Sequence, residues 1–186
     1  HPVGICVRAK FNIKLAEYAE KPTLLIHVKG FECCGRLHSQ CFLGTVVMAG
    51  ATSITDHDTI TGYITVQSDS SPDDLIAWRK DADKLIEHIR RLMSFASATV
   101  LKAPITKFFN GNILEVDALS QSRQVPPHVP TFHPHDLQPI FDVSVQSFKP
   151  PIQEKNLFFA IEWFSMDATY NEIRLVNAMT ALENIV

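Results

Sequence analysis

A chain of 186 residues, 46% hydrophobic and 20% charged, has ordinary globular composition and length for one large domain or two small ones. Its formal charge of -3 disfavours a surface built throughout for phosphate binding, and no run approaches the ~18 apolar residues of a membrane-spanning helix, so no membrane partner is expected. Three of the four cysteines fall within nine residues, unlike the dense spacing of a disulfide-stapled secreted scaffold, and reduced thiols in a cytoplasm fit that usage.

The first element is an alternating strand. Val3, Ile5, Val7, Ala9, Phe11 and Ile13 fall on one face, with Arg8, Lys10, Asn12 and Lys14 on the other. A second strand runs from Thr23 to Lys29 with Leu24, Ile26 and Val28 inward. The stretch from Cys41 to Met48 is apolar on both faces, as a central strand would be. Ile60, Gly62, Ile64 and Val66 alternate with Thr61, Tyr63, Thr65 and Gln67 to give a fourth strand with a solvated side.

Ser71-Pro72-Asp73-Asp74 predicts a helix start, with serine at the cap, proline at the first helical position and acids near the positive end of the helix dipole. Leu75, Trp78, Ala82, Leu85, Ile86, Ile89, Leu92 and Met93 form its apolar stripe, which should lie across the sheet. Two further strands, Thr99 to Phe109 and Ile113 to Val116, flank Asn110-Gly111, a pair suited to a type I′ hairpin turn. Pro104 removes a ladder donor, which places the first of these at an edge or a bulge.

Residues 119–135, with Pro126, Pro127, Pro130 and Pro134, are expected to link a β-rich ligand-sensing or binding domain over 1–120 to a helical domain over 136–186. Leu137, Ile140, Phe141, Ser144, Val145 and Phe148 predict a helix capped by Asp136. Helices near Gln153 to Asp167 and Tyr170 to Val186 follow, the last breaking off in mid-pattern. The fold class expected is α+β, a β-rich unit with one long packed helix followed by the first helices of an α-helical bundle that continues past Val186.

The segments Ala160-Ile161-Glu162-Trp163-Phe164, Asn171-Glu172-Ile173-Arg174 and Ala181-Leu182-Glu183-Asn184 resemble the opening helices of the Apea-like HEPN family. That resemblance covers about residues 136–186. It implies a bacterial-type protein whose variable β-rich front part recognises something and whose helical part is RNA-directed, in the manner of anti-phage defence. It also implies RNA or a nucleotide as partner of the helical part and a homodimer formed through its helices. Glu172, Arg174 and Glu183 are the family-like polar positions. Active HEPN ribonucleases carry an arginine followed four to six residues later by a histidine on a late helix; here Arg123 and His128 have the spacing, but Val125-Pro126-Pro127 between them breaks any helix. Ribonuclease activity would therefore need residues beyond Val186. The alternative is a non-enzymatic module binding a carbohydrate, peptide or protein, with a helical dimerisation region.

The remaining candidates favour bland readings. Cys33, Cys34, His38 and Cys41 offer four soft or borderline ligands, yet adjacent cysteines do not easily share one zinc ion and no second ligand pair lies at a finger-like distance. His128, His133, His135 and Asp136 sit in the linker, where a loop holds ligands poorly. Asp56-His57-Asp58 has no nucleophile tied to it and predicts a polar turn. On the helix, Lys80, Lys84, Arg90 and Arg91 are largely balanced by Asp73, Asp74, Asp81, Asp83 and Glu87, which predicts pairing along the helix. Trp78 and Trp163 are assigned to packing. No catalytic, cofactor-binding or metal-binding residue and no cofactor is expected in this segment.

Overall fold

A computed structural model describes residues 8–56, 58–120, 132–148 and 179. Among them are five strands and two helices: β1 (Arg8–Lys29), β2 (Arg36–Cys41), β3 (Gly44–Ala49), β4 (Gly62–Gln67), α1 (Leu75–Ala96), β5 (Lys102–Leu119) and α2 (Leu137–Gln146). All strands pair antiparallel in one sheet of order β2-β3-β4-β1-β5.

The period-two alternation decides which side of the sheet is dry. Leu24, Ile26 and Val28 of β1 stand on the same face as Ile64 and Val66 of β4, Val46 and Met48 of β3, and Phe108 of β5, all of them buried. Onto this face α1 lays Trp78, Ala82, Leu85, Ile86, Ile89 and Met93. The predicted stripe is thus observed, with Leu75 and Leu92 only partly covered and His88 added to the buried side. Trp78 also fixes the helix to the sheet, because its indole Nε1 donates to the Leu43 carbonyl at 2.9 Å. The start of α1 lies three residues later than the sequence pattern suggested. Asp74, not Ser71, is the cap, accepting from the Ala77 amide at 2.9 Å, and no acid lies in the first turn.

Three strand assignments are corrected. The two strands expected at the start are a single long β1, and the two expected around Asn110-Gly111 are a single β5; those four segments make one extended pair. Gly111 does take a positive φ of 59°, but the conformation serves an irregularity inside β5 and does not reverse the chain. Opposite it, β1 spends nine steps, Lys14 to Thr23, where β5 spends four, Ile113 to Phe109. Cys41 to Met48 is not one strand but the β2–β3 hairpin turning at Phe42-Leu43. Gly44 makes that turn feasible: its φ is 123°, and a Cβ there would lie 2.1 Å from the Gln67 carbonyl oxygen. Pro104 lies in the edge strand β5, beside a register shift opposite His27 and Lys29, so edge and bulge both apply.

The helical-bundle half of the expected fold class is overturned: the described structure is β-rich, one sheet with two helices. The helix predicted after Asp136 does form, and Leu137, Phe141, Ser144, Val145 and Phe148 are buried as the pattern implied. Their partner is not a bundle. They join the core shared by α1 and the sheet, with Phe148 against the His88 ring at 5.8 Å and stacked on Phe42 at 6.2 Å. The physical reason is that β2 and the C-terminal half of α1 leave an apolar step that a single short amphipathic helix fills. Asp136 occupies the cap position without a side-chain cap hydrogen bond. The segments expected to be helical over 153–167 and 170–186, the stretch 1–7, and linker residues 121–131 lie outside the described residues, Met179 apart.

Candidate functional site

The family-like positions Glu172, Arg174 and Glu183, together with Trp163, Arg123, His128 and His57, lie outside the described residues. The cysteine and histidine set is placed but not brought together. Cys33 is buried, Cys34 exposed, His38 points away from the core on β2, and Cys41 lies half-buried at the hairpin. Among the described residues, no group of three or more His, Cys, Asp or Glu converges as a metal site would require. Burial, helped by the neighbouring Cys34, pushes the Cys33 thiol up. Burial does the same for Cys41, against backbone hydrogen bonds from Leu43 and Gly44. Both thiols are therefore poor sources of thiolate.

Asp56 and Asp58 do build a turn, in which the Asp58 amide donates to Asp56 Oδ1 at 2.9 Å. His133 and His135 stack at 5.0 Å on the exposed approach to α2, the His135 amide donating to His133 Nδ1 at 3.3 Å. The charged side of α1 pairs along the helix as expected: Arg79 with Asp83, Lys84 with Asp81, Arg90 and Arg91 with Glu87. Burial would raise the Glu87 carboxyl, but hydrogen bonds and charge from Arg90 and Arg91 outweigh it and hold it below its ordinary value. A small hollow of about 100 Å³ near Lys10, Asn12, Arg79 and Glu115 is likewise satisfied from within. Arg8 and Lys10 reach Asp117, and Arg79 reaches Glu115 at 3.6 Å.

What remains is the side of the sheet that α1 and α2 do not cover. Register builds it in three rungs across five strands. The first is Arg36, Ala49, Tyr63, His27 and Ile105; the second is His38, Val47, Thr65, Leu25 and Lys107; the third is Gln40, Thr45, Gln67, Thr23 and Phe109. Lys29 and Lys102 pair beyond the first rung on the same side. The rungs contain no Asp or Glu. Asp58 stands 3.9 Å from Lys29 and Asp69 takes a hydrogen bond from Thr45 at 3.2 Å, both at the border.

Two groups there have their pKa values lowered, in both cases chiefly by burial. His27 has its pKa pulled below the ordinary 6.5 by burial and by the charge of Lys107 across the rung. Lys102 is pulled down by burial and by Lys29, against the opposing effect of Asp58. Tyr63 and Phe109 supply two aromatic surfaces on the face, about 17 Å apart by ordinary strand spacing and rise. A sheet face with cations, two separated rings, hydroxyls and carboxamides, and no internal acid can hold an anionic polymer by charge and its rings by stacking.

The class these observations define is an antiparallel sheet packed by helices on one side and, among the described residues, left open and basic on the other. Comparison with family models, with curated proteins and with solved structures finds no match for this chain. Among the described residues, no helix is long and apolar enough to cross a membrane.

Proposed function

We propose that the β-rich unit is a recognition module whose open sheet face binds single-stranded RNA. The observation that carries the reading is the segregation of charge: Arg36, Lys107, Lys29 and Lys102 share a face whose rungs have no carboxylate, although the chain as a whole is acidic. Duplex RNA hides its bases from a flat sheet, whereas an extended strand offers phosphates to the cations and unstacked bases to Tyr63 and Phe109. The HEPN-like segments over residues 157–183 point the same way, since that resemblance implies an RNA-directed protein. A cytoplasmic setting goes with this reading, and with the free thiols of Cys33, Cys34 and Cys41.

The experiment is fluorescence anisotropy of the full chain with a labelled oligonucleotide of about ten nucleotides, single-stranded and then annealed to its complement. Binding of the single strand that weakens with added salt is expected, with the duplex bound less tightly. Salt-independent binding of a neutral oligosaccharide or a peptide in its place would return the face to the carbohydrate-, peptide- or protein-binding alternative.

A further inference from the structure

The long β1–β5 pair has a feature that the rest of the sheet lacks. The five surplus residues of β1 between Lys14 and Thr23 fall on either side of the Ala19–Gly111 pair, and Ala19, Glu20 and Lys21 line a pocket of about 400 Å³ together with Thr23, Gln67 and Phe109. The last three are neighbours on the third rung of the open face, so the pocket lies at one end of the proposed RNA surface. Its volume falls within the range of small-molecule sites, ~300–1,000 Å³.

The polar groups in it are oriented by one another. The Thr23 hydroxyl donates its single proton to the Lys21 carbonyl at 3.2 Å, and it must therefore accept from Gln67. That requirement places Gln67 Nε2 toward Thr23, at 3.1 Å, and fixes which end of the carboxamide is which. Gln67 keeps Oε1 as an acceptor and its second N–H as a donor, side by side. Phe109 adds a flat apolar surface beside them, and the wall carries the charged side chains of both Lys21 and Glu20.

An adjacent donor and acceptor on a glutamine pairs with the N6 amine and ring nitrogen of adenine; cytosine offers the same pair in N4 and N3, and ring size separates the two. We propose that this pocket takes one adenine of the bound strand, stacked on Phe109 and read by the Gln67 carboxamide, with Lys21 near the adjoining phosphate. A purine also gives Phe109 more surface to cover than a pyrimidine does. The inference rests on the RNA-binding reading of the open face and adds base selection to it.

The test is competition anisotropy with the full chain, using oligonucleotides that differ only in one central base, A, C, G or U, within an otherwise uniform strand. The adenine strand is expected to bind about tenfold tighter than the guanine and uracil strands, the discrimination of one good bidentate contact, with the cytosine strand in between because it lacks the second ring. Gln67→Glu keeps the acceptor and loses the donor, so it should abolish the adenine preference and favour guanine, whose N1–H and N2 amine are adjacent donors. Phe109→Leu keeps apolar bulk but loses the ring, and should weaken all four strands by about tenfold with the melting temperature little changed. Tight binding with no base preference, or a preference that survives Gln67→Glu, would overturn the pocket assignment while leaving the face intact. A wild-type chain that binds none of the strands would overturn both.

Discussion

Replacing Lys107 by glutamine removes one charge from the centre of the open face and leaves a side chain of similar length and polarity. The magnitude follows from counterion release, in which each phosphate neutralised on a single strand contributes about -0.7 to the slope of log K against log salt. Lys29, Arg36, Lys102 and Lys107 share the face and Asp58 offsets part of Lys29, which leaves about three net charges. The wild-type slope should then be about -2, a loss of about twentyfold in affinity between 50 and 200 mM salt. In Lys107→Gln the slope should fall to about -1.4, with affinity at 100 mM salt down about fivefold. Anisotropy titrations at four salt concentrations measure both quantities. Lys84→Gln is the control, because Lys84 is paired with Asp81 on α1 and does not belong to the open face. Equal slopes for wild type and Lys107→Gln, or an equal loss in Lys84→Gln, would refute the claim that charge on this particular face drives binding.

His27 supplies a pH dependence. Its folded pKa lies below the ordinary 6.5, through burial and then Lys107, so it costs stability as the pH falls through 6.5 toward the folded value and costs nothing above that window. A phosphate on the face would raise the same pKa, so RNA binding should tighten on acidification across this range; both trends should flatten in His27→Gln, read by denaturant titration and anisotropy at several pH values. Phe141→Ala empties a fully buried site in α2 and should cost ~3–5 kcal/mol, lowering the melting temperature on the order of 10 °C in a single transition. An unchanged main transition would show that α2 is not part of this core. Gln138→Ala removes a side chain that both accepts from the His38 amide at 3.2 Å and donates to the His38 carbonyl at 2.8 Å, closing the free edge of β2; we expect a loss of about 1 kcal/mol and faster hydrogen exchange at the His38 amide.

Some of this architecture was legible because it depends on local periodicity. The α1 stripe, the inward residues of Thr23–Lys29 and Gly62–Gln67, and the helical spacing of α2 were all set by which side chains recur on one face. Turns were less legible because distant groups hold them. The Phe42-Leu43 reversal has Gly44 as its one usual turn residue and two apolar residues at its centre; it is tied down by Trp78 bonding the Leu43 carbonyl and by Phe42 stacking on Phe148, partners 35 and 106 positions away. Asn110-Gly111 misled for the converse reason. A positive φ at glycine is needed equally by a hairpin and by an irregular strand, and only the pairing of β1 along the whole of β5 decides between them. The stripe of α2 announced that it would be buried but carried no information on its partner.

The open face was illegible in a more instructive way. Its cations are scattered polar positions in three different strands, with Lys29 and Lys102 lying 73 residues apart in sequence and adjacent across the β1–β5 ladder. No window of sequence contains a basic patch, and a net charge of -3 averages the face with the carboxylates of α1. Folding undoes the average. The acids of α1 are spent on Arg79, Lys84, Arg90 and Arg91 at three- and four-residue spacing, while the rungs of the sheet receive only neutral and basic side chains. Net charge therefore argued against nucleic acid for the molecule as a whole and said nothing of one face. The potential that a strand of RNA would meet is set by the side chains within about 10 Å of it, the screening distance at 0.1 M salt; the three rungs themselves carry no carboxylate, and Asp58, Asp69 and Glu20 stand only at their border.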